Sequence, residues 1–450
     1  MTLRCRSLRS TACALLLVVA CAAPAPPQDG PAPPRQDAAA PSPLPPETPA
    51  GGPRLAAPEE VGMDADRLAL ADSLISHAIL AGATPGAALA VGRHGRLVRL
   101  SGYGRLDWRA GFGAVTDSTI YDLASLSKAV GTTTAAMILV EEGRLDLDAP
   151  VSRYLDAWHG KDDKQRVTVR HLLTHSSGLP AYSPLWRELR GRDAYARRIG
   201  AMGLDYPPGT RTVYSDFGII VLGFIIEERT GQTLDLFLDE RVFDPLGMRD
   251  TGYNPRSWAD PAAPGAGYGE AAQESDATLP ILARVAPTEL DTVYRHTHVH
   301  GVVHDENAYA LGGVAGHAGL FSSARDLAVF AQMMLNGGEY GGVRVLDSAT
   351  IARFTRRADG SGRALGWDKP SGRSSAGDYF SARAFGHTGF TGTSIWIDPE
   401  YDVFVVLLTN RVNPTRDNMK HAALRRAVHD AVMLSITDMP VRKREGGEKR

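Results

Sequence analysis

The chain has 450 residues, and its 49 Lys and Arg nearly balance its 51 Asp and Glu. No basic block lies in the part able to fold, so this is not the charge pattern of a nucleic-acid binder. The cysteines are Cys5, Cys13 and Cys21 alone, so no disulfide can brace the globular region, which must rest on a large apolar core.

The first segment sets Arg4, Arg6 and Arg9 before an apolar run, Ala12 to Ala20. That is the layout of a secretory signal and is too short for a permanent membrane span. The run ends in Val18-Val19-Ala20-Cys21, and small apolar residues before a cysteine look like the lipobox of bacterial lipoproteins. Cys21 would then be the lipidated first mature residue, with 1–21 as signal peptide. An ordinary secretory signal with an incidental cysteine is the alternative. Residues 22–57 are dominated by Pro, Ala and Gly, a composition that forms an extended, semi-rigid tether rather than a core. A tether is what a lipid anchor needs to hold a domain off a membrane on the periplasmic or extracellular face.

The folded domain is expected over 58–436. Asp64 to Ala81 repeats apolar residues at helical spacing. Gly86 to Val91, the turn Arg93-His94-Gly95 and Leu97 to Leu100 read as a β-hairpin. Lys128 to Glu142 and Phe217 to Glu228 are helical in pattern. Thr393 to Ile397, Asp398-Pro399-Glu400 and Val403 to Thr409 form a second hairpin, and Asn418 to Ile436 closes with a helix. Hairpins at opposite ends can join in one antiparallel sheet, flanked on one face by the terminal helices, with a mostly helical insertion between and a cleft at the junction. The fold class is α/β in the α+β sense. Residues 437–450 carry mixed charge and read as a solvated, flexible tail.

Three short stretches carry chemistry. Ser125-Leu126-Ser127-Lys128 opens a helix, where residues three apart share a face with β-carbons about 5–6 Å apart. Lys128 can therefore reach the Ser125 hydroxyl. Taken out of water beside a helix amino terminus, the amine is expected to have a lowered pKa and to accept the serine proton. Ser127 lacks that spacing. Tyr214-Ser215-Asp216 follows the turn Tyr206–Thr210 and enters an apolar helix, so Tyr214 can relay a proton and Asp216 can cap the helix or face substrate. His387-Thr388-Gly389-Phe390 begins the last hairpin, where glycines let a substrate lie along the strand. The N–H groups of Ser125 and Phe390 are the natural pair to hold an oxyanion, each such donor being worth roughly 3–4 kcal/mol. Alone, each stretch has a bland reading: a helix cap, a packed tyrosine, a glycine turn. In order, they point to acyl transfer through a serine ester.

Together they resemble the serine β-lactamases and penicillin-binding proteins, specifically the class C-like branch with its D-Ala-D-Ala carboxypeptidases, D-amino acid peptidases and esterases. The stretches His171–Leu179, Gly316–Ser322 with Asp326-Leu327-Ala328, and Val302–Ala308 add to the likeness, which covers about 58–436. It implies that Ser125 is acylated, that Lys128 and Tyr214 move protons, that His387 joins them, and that Asp216, Thr388, Gly389 and Phe390 meet a small-molecule or peptidoglycan-peptide substrate, with no cofactor. Asp216 stands where family β-lactamases usually have Asn, and His387 where they have Lys. The imidazole is expected to titrate in the ordinary histidine range, and the pattern favours a carboxypeptidase over an esterase and a β-lactamase. A catalytically idle penicillin-binding scaffold is the non-enzymatic alternative. His296, His298, His300 and His304 lack the spacing of known zinc sites and read as a polar loop rimming the cleft.

Overall fold

The computed structural model describes residues 54–160, 163–258, 279–372 and 374–444. The signal segment, Cys21, nearly all of the tether and the last six residues lie outside the described residues. Among the described residues no helix is long and apolar enough to cross a membrane.

A five-stranded antiparallel sheet forms the centre, in the order Phe385–Thr388, Ser394–Asp398, Val403–Thr409, Gly86–Arg93, Arg96–Gly104. The two ends of the domain meet in its middle, with Ala87 opposite Thr409 and Arg93 opposite Val403. These strands are buried on both faces, and side chains alternate between two cores. Ala87, Leu89, Val91, Val403, Val405 and Leu407 pack with Leu68, Ala71 and Ile75 of the helix Ala65–Leu80 and with Leu424, Val428 and Val432 of the helix Ala422–Leu434. Ala88, Ala90, Phe404, Val406 and Leu408 turn to the other core, which includes the helices Ala324–Leu335 and Asp216–Thr230. Hairpins, terminal helices and helical insertion thus stand as the sequence predicts. The fold combines an antiparallel sheet with helices on both faces.

Two expectations need correcting. Phe385–Thr388 is not the start of the final hairpin but a strand of its own at the sheet edge, with His387 opposite Ile395. The chain reverses between 389 and 393, where Gly392 takes a φ of 118° that an L side chain rarely adopts. The segment 437–444, expected as solvated tail, is bound to the domain. Asp438 pairs with the fully buried Arg93 at 2.8 Å, and Arg444 donates to the Phe380 carbonyl at 2.9 Å. A guanidinium shut inside the domain needs a counter-charge, and this segment supplies it.

A smaller sheet positions the site. Its strands Ile120–Asp122 and Gly252–Tyr253 both pair with Leu320–Ser323. The chain leaves Asp122 toward Ser125, and the helix beyond begins with a π-helical turn, Lys128–Thr133, that runs into Thr134–Glu141.

Candidate active site

The serine is set on a strained turn. Ala124 holds a φ of 48°, costly for a residue with a β-carbon. Its N–H donates to the buried Asp122 carboxylate at 2.8 Å. The N–H groups of Leu126, Ser127 and Lys128 fold back on the carbonyls of 123, 124 and 125 at 3.0–3.1 Å. Ser125 is left half-buried at the edge of a cavity of about 280 Å³.

Lys128 is buried. Its Nζ donates to Ser125 Oγ at 2.9 Å and to the His317 carbonyl at 2.9 Å, and lies 2.8 Å from Asp216 Oδ1. Burial pushes its pKa down, but the Asp216 carboxylate and Tyr214 outweigh burial, and the net shift is upward. The expectation of a lowered lysine pKa is thereby corrected: Asp216, standing where an uncharged Asn is usual, reverses the sign. Lys128 at rest is an ammonium, and the chain Ser125 Oγ, Lys128 Nζ, Asp216 Oδ1 gives the serine proton a route to a carboxylate.

Asp216 can face the lysine because it does not cap its helix. Ser215 is the cap, accepting from the Gly218 N–H at 3.4 Å. Tyr214 stacks on His175 with ring centroids 4.4 Å apart. Its ring lies 5.0 Å from Lys128 Nζ and 6.1 Å from the His387 ring. Three distant stretches therefore converge as predicted.

His387 is fully buried. Its Nδ1 lies 2.9 Å from the Thr388 carbonyl, so that nitrogen carries the hydrogen, and Nε2 is an acceptor with no hydrogen-bond partner among the described residues. Burial lowers its pKa to about 4, with Arg363 and Lys128 reinforcing burial and Asp368 opposing it. The expected titration in the ordinary histidine range is thus corrected: His387 is neutral at pH 7.

The turn 389–393 is fastened to the segment that leads into Ser125. Thr391 Oγ1 donates to the Asp122 carbonyl at 2.7 Å and Thr393 Oγ1 to the Leu123 carbonyl at 2.9 Å. A β-carbon on Gly389 would lie 2.2 Å from the Leu123 oxygen, so only glycine fits. Among the described residues neither the Ser125 nor the Phe390 N–H donates a hydrogen bond. Thr388 stands opposite Ser394 in the sheet.

Of the predicted residues, Ser125, Tyr214, Asp216 and Phe390 line the cavity, and Lys128, His387, Thr388 and Gly389 are not part of its lining. Its other walls include His304, Asp305 and Glu306, from the loop read as rimming the cleft, and Tyr182, His317 and Arg416, to which the sequence reading gave no role. His317 Nε2 lies 2.9 Å from Asp305 Oδ1. Burial raises the Asp305 pKa, but His317 outweighs it and the net shift is downward. Arg416 pairs with both Glu289 and Glu306 at 2.6 Å, and His304 Nε2 lies 2.9 Å from Glu289 Oε2. Of the four clustered histidines only His304 reaches the cavity. His300 Nε2 lies 3.0 Å from the Leu282 and Val285 carbonyls, and His298 contacts Arg109 and Asn413. No group of three or more His, Cys, Asp or Glu among the described residues is arranged to hold a metal ion. The one hint of His317 in the sequence was its place in Gly316–Ser322, a stretch that matched the family without a role attached.

The β-lactamase family model matches residues 71–430. The chain belongs to the β-lactamase family. A Bacillus subtilis relative named N-acetylmuramyl-L-alanine amidase is 34% identical over 80% of this chain and 84% of its own length. A Salmonella typhi relative, provisionally named a D-alanyl-D-alanine carboxypeptidase, is 33% identical over 81% of this chain and 87% of its own. Among solved structures, the hydrolase EstCE1 aligns with TM-score 0.62 at 23% identity, over 82% of this chain and 99% of that one. A penicillin-binding protein homologue from Caulobacter crescentus aligns with TM-score 0.61 at 22% identity, over the same shares. These two share the fold. The family and the relatives make this β-lactamase-family chain a serine hydrolase.

Two outcomes follow from the charges. Asp216→Asn removes the carboxylate that holds Lys128 up, so burial then wins and the lysine pKa falls. The alkaline limb of a kcat/KM profile on a neutral ester should move to lower pH by about one pH unit or more; an unmoved limb would show that Asp216 does not govern the lysine. His387 accepts a proton when unfolded near the ordinary pKa of about 6.5 but refuses it when folded until about pH 4. Its contribution to stability is complete above about pH 6.5 and is lost as pH falls toward 4. His387→Gln should therefore gain on the wild type by on the order of 2–3 kcal/mol between pH 7 and 4. Denaturation midpoints that keep a constant gap across that range would contradict it.

Proposed function

We propose that this serine hydrolase cleaves an amide bond of peptidoglycan peptides through an acyl-enzyme on Ser125. The observation that carries this reading is Lys128 Nζ held between Ser125 Oγ and Asp216 Oδ1 at the edge of the cavity. Ser125 Oγ attacks the substrate carbonyl as its proton passes to Nζ and a lysine proton passes to Asp216. The N–H groups of Ser125 and Phe390 receive the oxyanion. Tyr214, beside the ammonium, and Lys128 return a proton to the departing amine. Water then releases the acyl group by the same path in reverse. Wall-peptide amides are what the names of the Bacillus subtilis and Salmonella typhi relatives describe. Within that class a D-Ala-D-Ala carboxypeptidase is the first substrate reading.

The charge of the site favours a second. A carboxypeptidase must bind a terminal carboxylate, yet His387 is neutral, Arg416 is held by two glutamates and Arg363 is paired with Asp368. A substrate without that carboxylate, an internal muramyl-peptide amide or a neutral ester, needs no free cation here. The same argument sets β-lactam turnover third.

Release of D-Ala from diacetyl-Lys-D-Ala-D-Ala, release of peptide from N-acetylmuramyl-L-Ala-D-isoglutamine, and turnover of p-nitrophenyl acetate should be compared in wild type and Ser125→Ala. Wild-type cleavage of either amide, lost in the variant, supports the reading. D-Ala release no faster than in Ser125→Ala removes the carboxypeptidase, and turnover of the ester alone removes the wall peptide.

We also infer that the chain is exported and anchored in the bacterial envelope by lipid on Cys21, as the signal-like segment and tether suggest. Radiolabelled palmitate fed to an expressing bacterium should enter the protein and be absent from Cys21→Ala; equal labelling of both would refute the anchor.

A further inference from the structure

Behind the turn 389–393 lie two arginines, Arg425 and Arg411. Arg425, on the last helix, sends Nη2 to the Gly389 carbonyl and, at 2.9 Å, to the Thr393 carbonyl. Arg411, buried beside it, donates from Nε to the Phe390 carbonyl at 2.8 Å, and its guanidinium lies 4.5 Å over the Phe390 ring. Among the described residues neither arginine forms an ion pair. Although the Arg425 residue is partly exposed, its Nε is shut from solvent with no hydrogen-bond partner there. Burial, with Arg411 adding to it, pushes the Arg425 pKa down to about 9. His421, buried close by, is kept well below its ordinary range by burial and by both arginines. An unpaired guanidinium in such a place costs stability, and packing alone would be served better by an apolar side chain.

The peptide it touches suggests the return. The Gly389 carbonyl and the Phe390 N–H belong to one trans peptide unit, in which C=O and N–H point in opposite directions. Fixing the carbonyl on Arg425 aims the N–H away from the helix, and Phe390 lines the cavity that Ser125 opens into. A cation on the carbonyl also polarises the amide and strengthens its N–H as a donor. If this peptide flipped, a carbonyl would stand where the oxyanion must form.

We propose that Arg425 is a positioning residue for the oxyanion site, holding and polarising the Gly389–Phe390 peptide so that the Phe390 N–H is presented to the carbonyl oxygen under attack by Ser125. The proposal rests on Ser125 as nucleophile but not on any particular wall peptide.

The test uses an activated oxoester and its thionoester, which differ only in C=O against C=S. Sulfur is a weak acceptor, so the thionoester draws little from an oxyanion donor. Loss of oxoester turnover in Ser125→Ala is the control that separates failure of the nucleophile from failure of Arg425. In Arg425→Gln, kcat/KM for the oxoester should fall about 10-fold or more while that for the thionoester changes less than about twofold. Arg425→Lys, which keeps a charge but is too short to place it where the Nη2 that serves both carbonyls lies, should fall between Gln and wild type. Rates for both esters that drop in parallel, or do not drop, would overturn the proposal. If Arg425→Gln fails to fold by circular dichroism, Arg425→Lys decides by the same ratio. Failure of both to fold would assign the residue to stability alone and also overturn it.

Discussion

The site depends on one buried ammonium. Lys128 Nζ touches the serine hydroxyl, a carboxylate from a second stretch of chain and a backbone carbonyl from a third. A charge removed from water is tolerated only when surrounded in this way, so the contacts that make it stable also bring the pieces together. Asp216 makes this enclosure unlike one built with an amide. It raises the pKa of a lysine that burial alone would lower, and offers the serine proton a resting place beyond the amine.

The charge logic extends outward from there. His387 remains neutral because burial and two nearby cations act on it together. Arg416 stands at the cavity but is neutralised from both sides by glutamates. The cavity therefore presents hydrogen-bonding groups, carboxylates and aromatic faces, while Arg411 and Arg425, which form no ion pair among the described residues, stand behind the turn that carries Phe390. Affinity for anions and stabilisation of a transient oxyanion are separated in space.

Much of this was legible in the chain. The unbroken apolar runs Gly86–Val91 and Val403–Leu408, bounded by turn residues, announce strands buried on both faces, and the spacing of Ser125 and Lys128 survives even though the helix starts with a π-helical turn. The order of the three stretches identified the family. What the chain did not disclose were outcomes of packing. The sign of the lysine shift depends on where Asp216 points, which depends on Ser215 taking the cap. The neutrality of His387 depends on its burial, and nothing local to His-Thr-Gly encodes that. His317 and Asp305 lie apart in sequence and meet only because Gly316–Ser322 passes beneath Lys128.

The middle of the main sheet joins Gly86–Arg93 to Val403–Thr409, strands made at the beginning and end of synthesis of the domain. No local segment can complete that ladder, and the edge strand bearing His387 reaches it only through Ser394–Asp398. The domain is thus closed by its last strands, and a growing chain cannot bring Ser125 beside Phe390 until nearly all of the domain has been made. Topology alone keeps the cavity unformed in an unfinished polypeptide.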